Sequence, residues 1–116
     1  MEQNFKALVV LLILNGRVEE ALGKLAERYG VVEPKLKVGL PKGRRKKVLG
    51  CYSVKDKTIY VLNSEALKEP FTVLHEFYHH LRTAPDARHR GSEKRANEFA
   101  REFVQAYGYR EMIGRK

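Results

Sequence analysis

Residues 75 to 79 read His75-Glu76-Phe77-Tyr78-His79, and this HExxH spacing demands a helix. On a helix, positions i and i+4 share one face a turn apart, so that both imidazoles aim at one point. Their separation then suits a tetrahedral Zn²⁺. Glu76 falls at the edge of the same face, placed to hydrogen-bond a water rather than to act as a ligand. The flanks agree. Residues 71 to 81 lack Gly and Pro, and Pro70 is a good first-turn residue. Leu74, Phe77, Tyr78 and Leu81 recur at spacings of three and four, an apolar stripe. The helix is expected from 70 to about 83. The plainer alternative is a helix whose surface histidines bind nothing.

The rest of the chain reads as helices, a small sheet, then helices. Residues 3 to 14 form a first helix, apolar nearly all round and so expected to be well covered. Val18, Ala21, Leu22, Leu25, Ala26 and Tyr29 mark a second, amphipathic helix stopped by Gly30. Residues 35 to 40 alternate and read as a short strand. Residues 41 to 47 are a basic loop. Residues 48 to 54 and 58 to 62 flank Lys55-Asp56-Lys57 as a β-hairpin. A short helical piece is expected over 64 to 68. Ser92 is a candidate N-cap for a last helix running to about 107 and ending at Gly108. The expected class is α+β: N-terminal helices, a small antiparallel sheet with a hairpin, the HExxH helix and a C-terminal helix.

With 116 residues, a single domain over 1 to 108 and a tail over 109 to 116 are expected. Cys51 is the only cysteine, which suits a reducing compartment and excludes an intrachain disulfide. It reads as a small strand residue. Residues 7 to 14 are continuously apolar but too few to span a bilayer, which takes about 20. Lys6 precedes them as in a signal peptide, yet polar Asn15-Gly16-Arg17 follows and no small-x-small cleavage site does. A cytoplasmic protein is expected.

A catalytic zinc takes three protein ligands, and the histidine pair supplies two. An HExxHxxGxxH extension fails, because Arg82 and Pro85 stand where Gly and His are needed. His89, Glu93 and Glu98 are the candidates. Glu93, Ala96, Asn97 and Ala100 share one face of the last helix, and the two alanines allow close packing on the HExxH helix. Glu98 falls with Arg95 and Glu102 on the polar side. Helix geometry therefore ranks Glu93 first, His89 second and Glu98 third. The alternative for Glu93 is a first-turn carboxylate that only favours the helix dipole.

His75-Glu76-Phe77-Tyr78-His79 followed by Glu93-x-x-Ala96-Asn97-x-Phe99-Ala100 resembles the ImmA/IrrE-type gluzincin metallopeptidases. The chain's size resembles the minigluzincins, stand-alone minimal metallopeptidases. The likeness covers residues 58 to 104. It implies one zinc per chain held by His75, His79 and Glu93, with Glu76 as general base and then acid in peptide hydrolysis. It also implies that an extended peptide or protein substrate pairs with the strand before the motif helix: Thr58, Ile59, Tyr60 and Val61. Minigluzincins are zymogenic, so the resemblance further implies a tail over 109 to 116 lying in the cleft, with Glu111 or the terminal carboxylate replacing the water. A frayed terminus is the alternative. Tyr78, His80, Tyr107 and Tyr109 are candidates to stabilise an oxyanion. Tyr78 reads as a packing residue. His80 reads as a surface residue, since it lies about 100° from His79 around the helix.

A second class competes. Lys and Arg number 23 against 14 Asp and Glu, a net charge of +9 that favours acidic partners. Residues 43 to 47 with Arg82, Arg88, Arg90 and Arg95 would make a basic nucleic-acid surface. No helix-turn-helix, zinc knuckle or aromatic RNA-binding signature accompanies them, so a solvated loop is favoured. A regulatory domain on a non-catalytic metallopeptidase-like fold is a third option.

Overall fold

Local chemistry sets the element boundaries. In the computed structural model, α1 spans Glu2–Leu14 and α2 Val18–Tyr29. Both end on left-handed glycines, Gly16 at φ 79° and Gly30 at φ 68°. After each, a backbone N–H reaches five residues back: Arg17 to the Leu12 carbonyl (2.8 Å) and Val31 to that of Ala26 (3.0 Å). Such closure satisfies carbonyls that the helix leaves without partners. The structure describes residues 2–41, 48–83 and 92–114, with side chains of the last helix from Glu93 to Gly108. The basic stretch 42–47, together with Arg88, His89 and Arg90, lies outside the described residues.

Strands β1 (Lys35–Val38), β2 (Gly50–Ser53) and β3 (Thr58–Val61) form one sheet in the order β1-β3-β2. β2 and β3 are the expected antiparallel hairpin, but β1 runs parallel to β3. The sheet is therefore mixed, not antiparallel. β3 takes the centre because it is the strand that can be buried: Thr58, Ile59 and Val61 are all within 1% of full burial. β1, mostly exposed, suits an edge.

A 3-10 turn over Ser64–Lys68, capped by Asn63 Oδ1 accepting from the Ala66 N–H (3.0 Å), leads into α3, Pro70–Leu81. α4 spans Ser92–Gly114. It does not stop at Gly108, whose φ is not positive and which continues the helix. Residues 109–114 therefore extend away along the helix axis. At 1.5 Å per residue, residue 109 stands roughly 24 Å along that axis from Glu93; residues 115 and 116 and the Glu111 side chain, on which the tail expectation rests, lie outside the described residues.

The core joins α1, α2, β3, α3 and α4 through Ile13, Leu22, Leu25, Ile59, Phe77 and Phe103. Burying each such side chain contributes about 1.5–3 kcal/mol. α4 packs on both α1 and α3. Ala96 and Ala100 are fully buried, so the two helices approach closely, as their alanines suggested. Phe77 and Phe103 flank Phe99 at centroid distances of 6.5 and 4.9 Å. The cover over α1 is incomplete, however: Leu8, Leu11 and Leu14 stay about 40% exposed. Among the described residues, no helix is long and apolar enough to cross a membrane.

Candidate metal centre

α3 presents its side chains on two adjacent faces. On one, His75 and His79 stack a turn apart with Nε2 atoms 3.2 Å from each other. Glu93, in the first turn of α4, meets both. Its Oε1 lies 3.0 Å from His75 Nε2 and its Oε2 3.1 Å from His79 Nε2. Among the described residues, these three form the group able to hold a metal ion. Bonds of about 2.0–2.1 Å in a tetrahedron space ligand atoms roughly 3.3 Å apart, so the trio has the right spacing. Glu98 is exposed on α4 and takes no part.

Asn97, one turn beyond Glu93, fixes the role of each His75 nitrogen. Its Oδ1 lies 2.8 Å from His75 Nδ1. An amide oxygen accepts, so Nδ1 carries the hydrogen. In the neutral ring, Nε2 then directs a lone pair at a Glu93 carboxylate oxygen. Two acceptors facing each other at 3.0 Å repel, and a cation shared between them removes the repulsion. The donor set thus fits a divalent ion on chemistry as well as on distance. The Glu93 side chain remains 77% exposed, so the trio is open on one side, as a catalytic rather than a structural site requires.

Beside the trio runs a cleft of about 800 Å³, within the usual range for ligand sites. α3 supplies one wall with Phe71, Thr72 and Glu76, and β2 with its flanks supplies the other. Glu76, on the α3 wall, is buried against Gly50 of β2 and lies outside the metal trio. Four large apolar side chains that line the cleft stay exposed: Val48, Leu49, Val54 and Phe71.

The expected substrate strand is not at the cleft. β3 is bonded on both sides, and Thr58, Ile59, Tyr60 and Val61 do not line the opening. The edge strand there is β2. Leu62 N–H donates to the Leu49 carbonyl at 2.7 Å. The alternation of an antiparallel ladder then turns Cys51 and Ser53 toward β3, and the main-chain groups of Gly50 and Tyr52 outward. Sequence reading located β2 but not its place at the cleft edge, because alternation identifies strands without giving their lateral order.

His80 also differs from expectation. It is 4% exposed, not a surface residue. Its Nε2 lies 2.7 Å from the Val32 carbonyl and its Nδ1 2.6 Å from the Tyr52 hydroxyl. The carbonyl can only accept, so Nε2–H donates to it and the Tyr52 hydroxyl donates to Nδ1. Burial holds the His80 pKa below the ordinary histidine value; the Val32 bond opposes this and nearby Lys57 adds to it. Burial raises the Tyr52 phenol, partly offset by the Thr83 hydroxyl. Tyr78 packs on Phe99 at 5.4 Å, and Tyr107 packs against the core. The Tyr109 side chain is outside the described residues.

No family model, curated protein or solved structure matches the chain.

Proposed function

We propose that this chain is a zinc-dependent metallopeptidase that hydrolyses extended peptides. The observation that carries the reading is the trio His75, His79 and Glu93, at 3.0 to 3.2 Å from one another, with His75 held by Asn97. A zinc ion bound there would polarise the scissile carbonyl and acidify water. Glu76 takes the proton of the attacking water and returns it to the leaving amine. Asn97 keeps the His75 Nε2 lone pair on the donor side. The outward main-chain groups of β2 pair with the peptide backbone. Exposed Val48, Leu49, Val54 and Phe71 favour apolar side chains next to the scissile bond.

The test is metal content by mass spectrometry on untagged protein purified without chelator, followed by a peptide-cleavage screen. The expected result is one zinc per chain, lost in His79→Ala and Glu93→Ala and kept in His89→Ala. Glu76→Ala should keep the zinc and lose cleavage. Folded wild type that takes up no zinc would sink the reading and bring forward the basic charge and a nucleic-acid partner.

A further inference from the structure

The face of α3 next to the histidine pair carries Glu76 and His80, again i and i+4. Both are buried, and both face β2. A Cβ on Gly50 would lie 3.5 Å from Glu76 Cγ and 3.0 Å from Thr72 Cγ2. One step along the same strand face, Tyr52 reaches His80. β2 therefore meets α3 at two rungs, Gly50 on Glu76 and Tyr52 on His80. The rungs match because two strand residues advance about 6.6–6.8 Å and four helix residues about 6 Å. The first rung is a close contact, where an added Cβ on Gly50 would crowd Thr72 Cγ2 and the Tyr60 carbonyl at 3.0 Å. The second is a hydrogen bond, supported by edge-on ring packing at a 5.4 Å centroid distance. It is anchored in turn by the Val32 carbonyl, so the segment after α2 also holds the ring.

The residues at these rungs, Gly50 and Tyr52, are the two that turn their main-chain N–H and C=O to the free edge. We propose that Tyr52 and His80 are positioning residues: their hydrogen bond fixes the height and register of the β2 edge over Glu76. They thereby fix where a peptide backbone paired with that edge lies. The proposal rests on the peptidase reading for its substrate, but the pinning itself needs neither zinc nor turnover. The rung and the metal trio draw on different side chains, Tyr52 and His80 against His75, His79 and Glu93, so metal retention and edge position are read by separate measurements. The substrate class that follows is a segment able to lie fully extended against two strand residues, such as an unfolded stretch or a terminus.

Tyr52→Phe removes the hydroxyl and keeps the ring, and His80→Asn keeps an oxygen near the Nδ1 position to accept from Tyr52. Amide exchange of the zinc-free proteins by NMR is the first readout. Tyr52→Phe should speed the Cys51 and Ser53 amides, which bond to β3, by about tenfold. The Ile59 and Val61 amides, which bond to β1, should stay at wild-type rates, and His80→Asn, which keeps the acceptor for Tyr52 but loses the bond to Val32, should speed the Cys51 and Ser53 amides less than Tyr52→Phe does. Equal acceleration at all four amides, or none, overturns the proposal. The second readout is cleavage of a quenched-fluorescent peptide with apolar residues around the scissile bond. With zinc content unchanged, Tyr52→Phe should raise KM about fivefold and leave kcat within about twofold. A fall in kcat at unchanged KM, or no change, overturns it. Zinc-loaded wild type that cleaves no peptide defeats the peptidase reading instead, and the exchange data still decide the pinning.

Discussion

The four chain histidines include two neighbours, His79 and His80, with unrelated tasks. His79 offers a nitrogen to the open trio, and His80 spends both nitrogens on internal bonds. The His75 partner can be tested alone. Asn97→Ala should weaken zinc binding roughly 10- to 100-fold, the usual cost of losing a partner behind a metal ligand. Competition with a chromophoric chelator would measure it, and an unchanged affinity would remove Asn97 from the site. The lowered pKa of His80 predicts a pH effect of definite sign. The unfolded chain takes up the His80 proton near pH 6.5, and the folded chain resists it. The His80 contribution is therefore complete above pH 6.5 and is lost as pH falls below it. In chelated protein, urea denaturation at pH 7.5 and 5.5 should show a larger loss for wild type than for His80→Asn, where the other histidines cancel. The sequence placed Asn97 on the helix face of Glu93, but its bond to His75 was not read from it. The bonds of His80 were not legible either, because its partners Tyr52 and Val32 lie 28 and 48 residues away.

At the scale of elements, periodicity located every helix and strand among the described residues, and it failed on lateral order and on one helix end. Among the three strands Thr58 to Val61 is the most buried, and β3 sits at the centre rather than at the cleft. Its Ile59 and Val61 face is fully buried, while Tyr60 on the other face stays half-buried. Gly108 misled for another reason: glycine marks a helix stop only where the backbone turns left-handed, as Gly16 and Gly30 do. In a continuing helix it is simply a poor former, by about 1 kcal/mol relative to alanine. A Cβ added at Gly108 meets nothing within 4 Å. Gly108→Ala should therefore stabilise the protein by roughly 0.5–1 kcal/mol, read as a higher denaturation midpoint. Destabilisation there would mean that the helix ends at Gly108 after all.

For the molecule as a whole, the metal trio spans the junction of α3 and α4, so binding and folding are coupled. Zinc at one hundred times its Kd should add about 2.7 kcal/mol, roughly a 10 °C rise in Tm for a domain of this size. The same scan on Ala96→Leu should show a core weakened by about 1–3 kcal/mol and little response to zinc, because the larger side chain drives the donors apart. A full zinc response in Ala96→Leu would show that the helix spacing does not govern the site.

The two-rung contact of β2 on α3 carries one more consequence. Helix and strand repeats differ by roughly 0.6–0.8 Å for each rung, so the pair behaves like the two scales of a vernier. Marks that coincide at Gly50 and Tyr52 fall progressively out of step beyond them. A longer strand would gain no third fixed point on the helix, so the stretch of edge held to a calibrated height is two residues long. Under the proposed peptidase reading, a peptide paired with it would be gauged over one short span, beside Glu76, and would run free on either side.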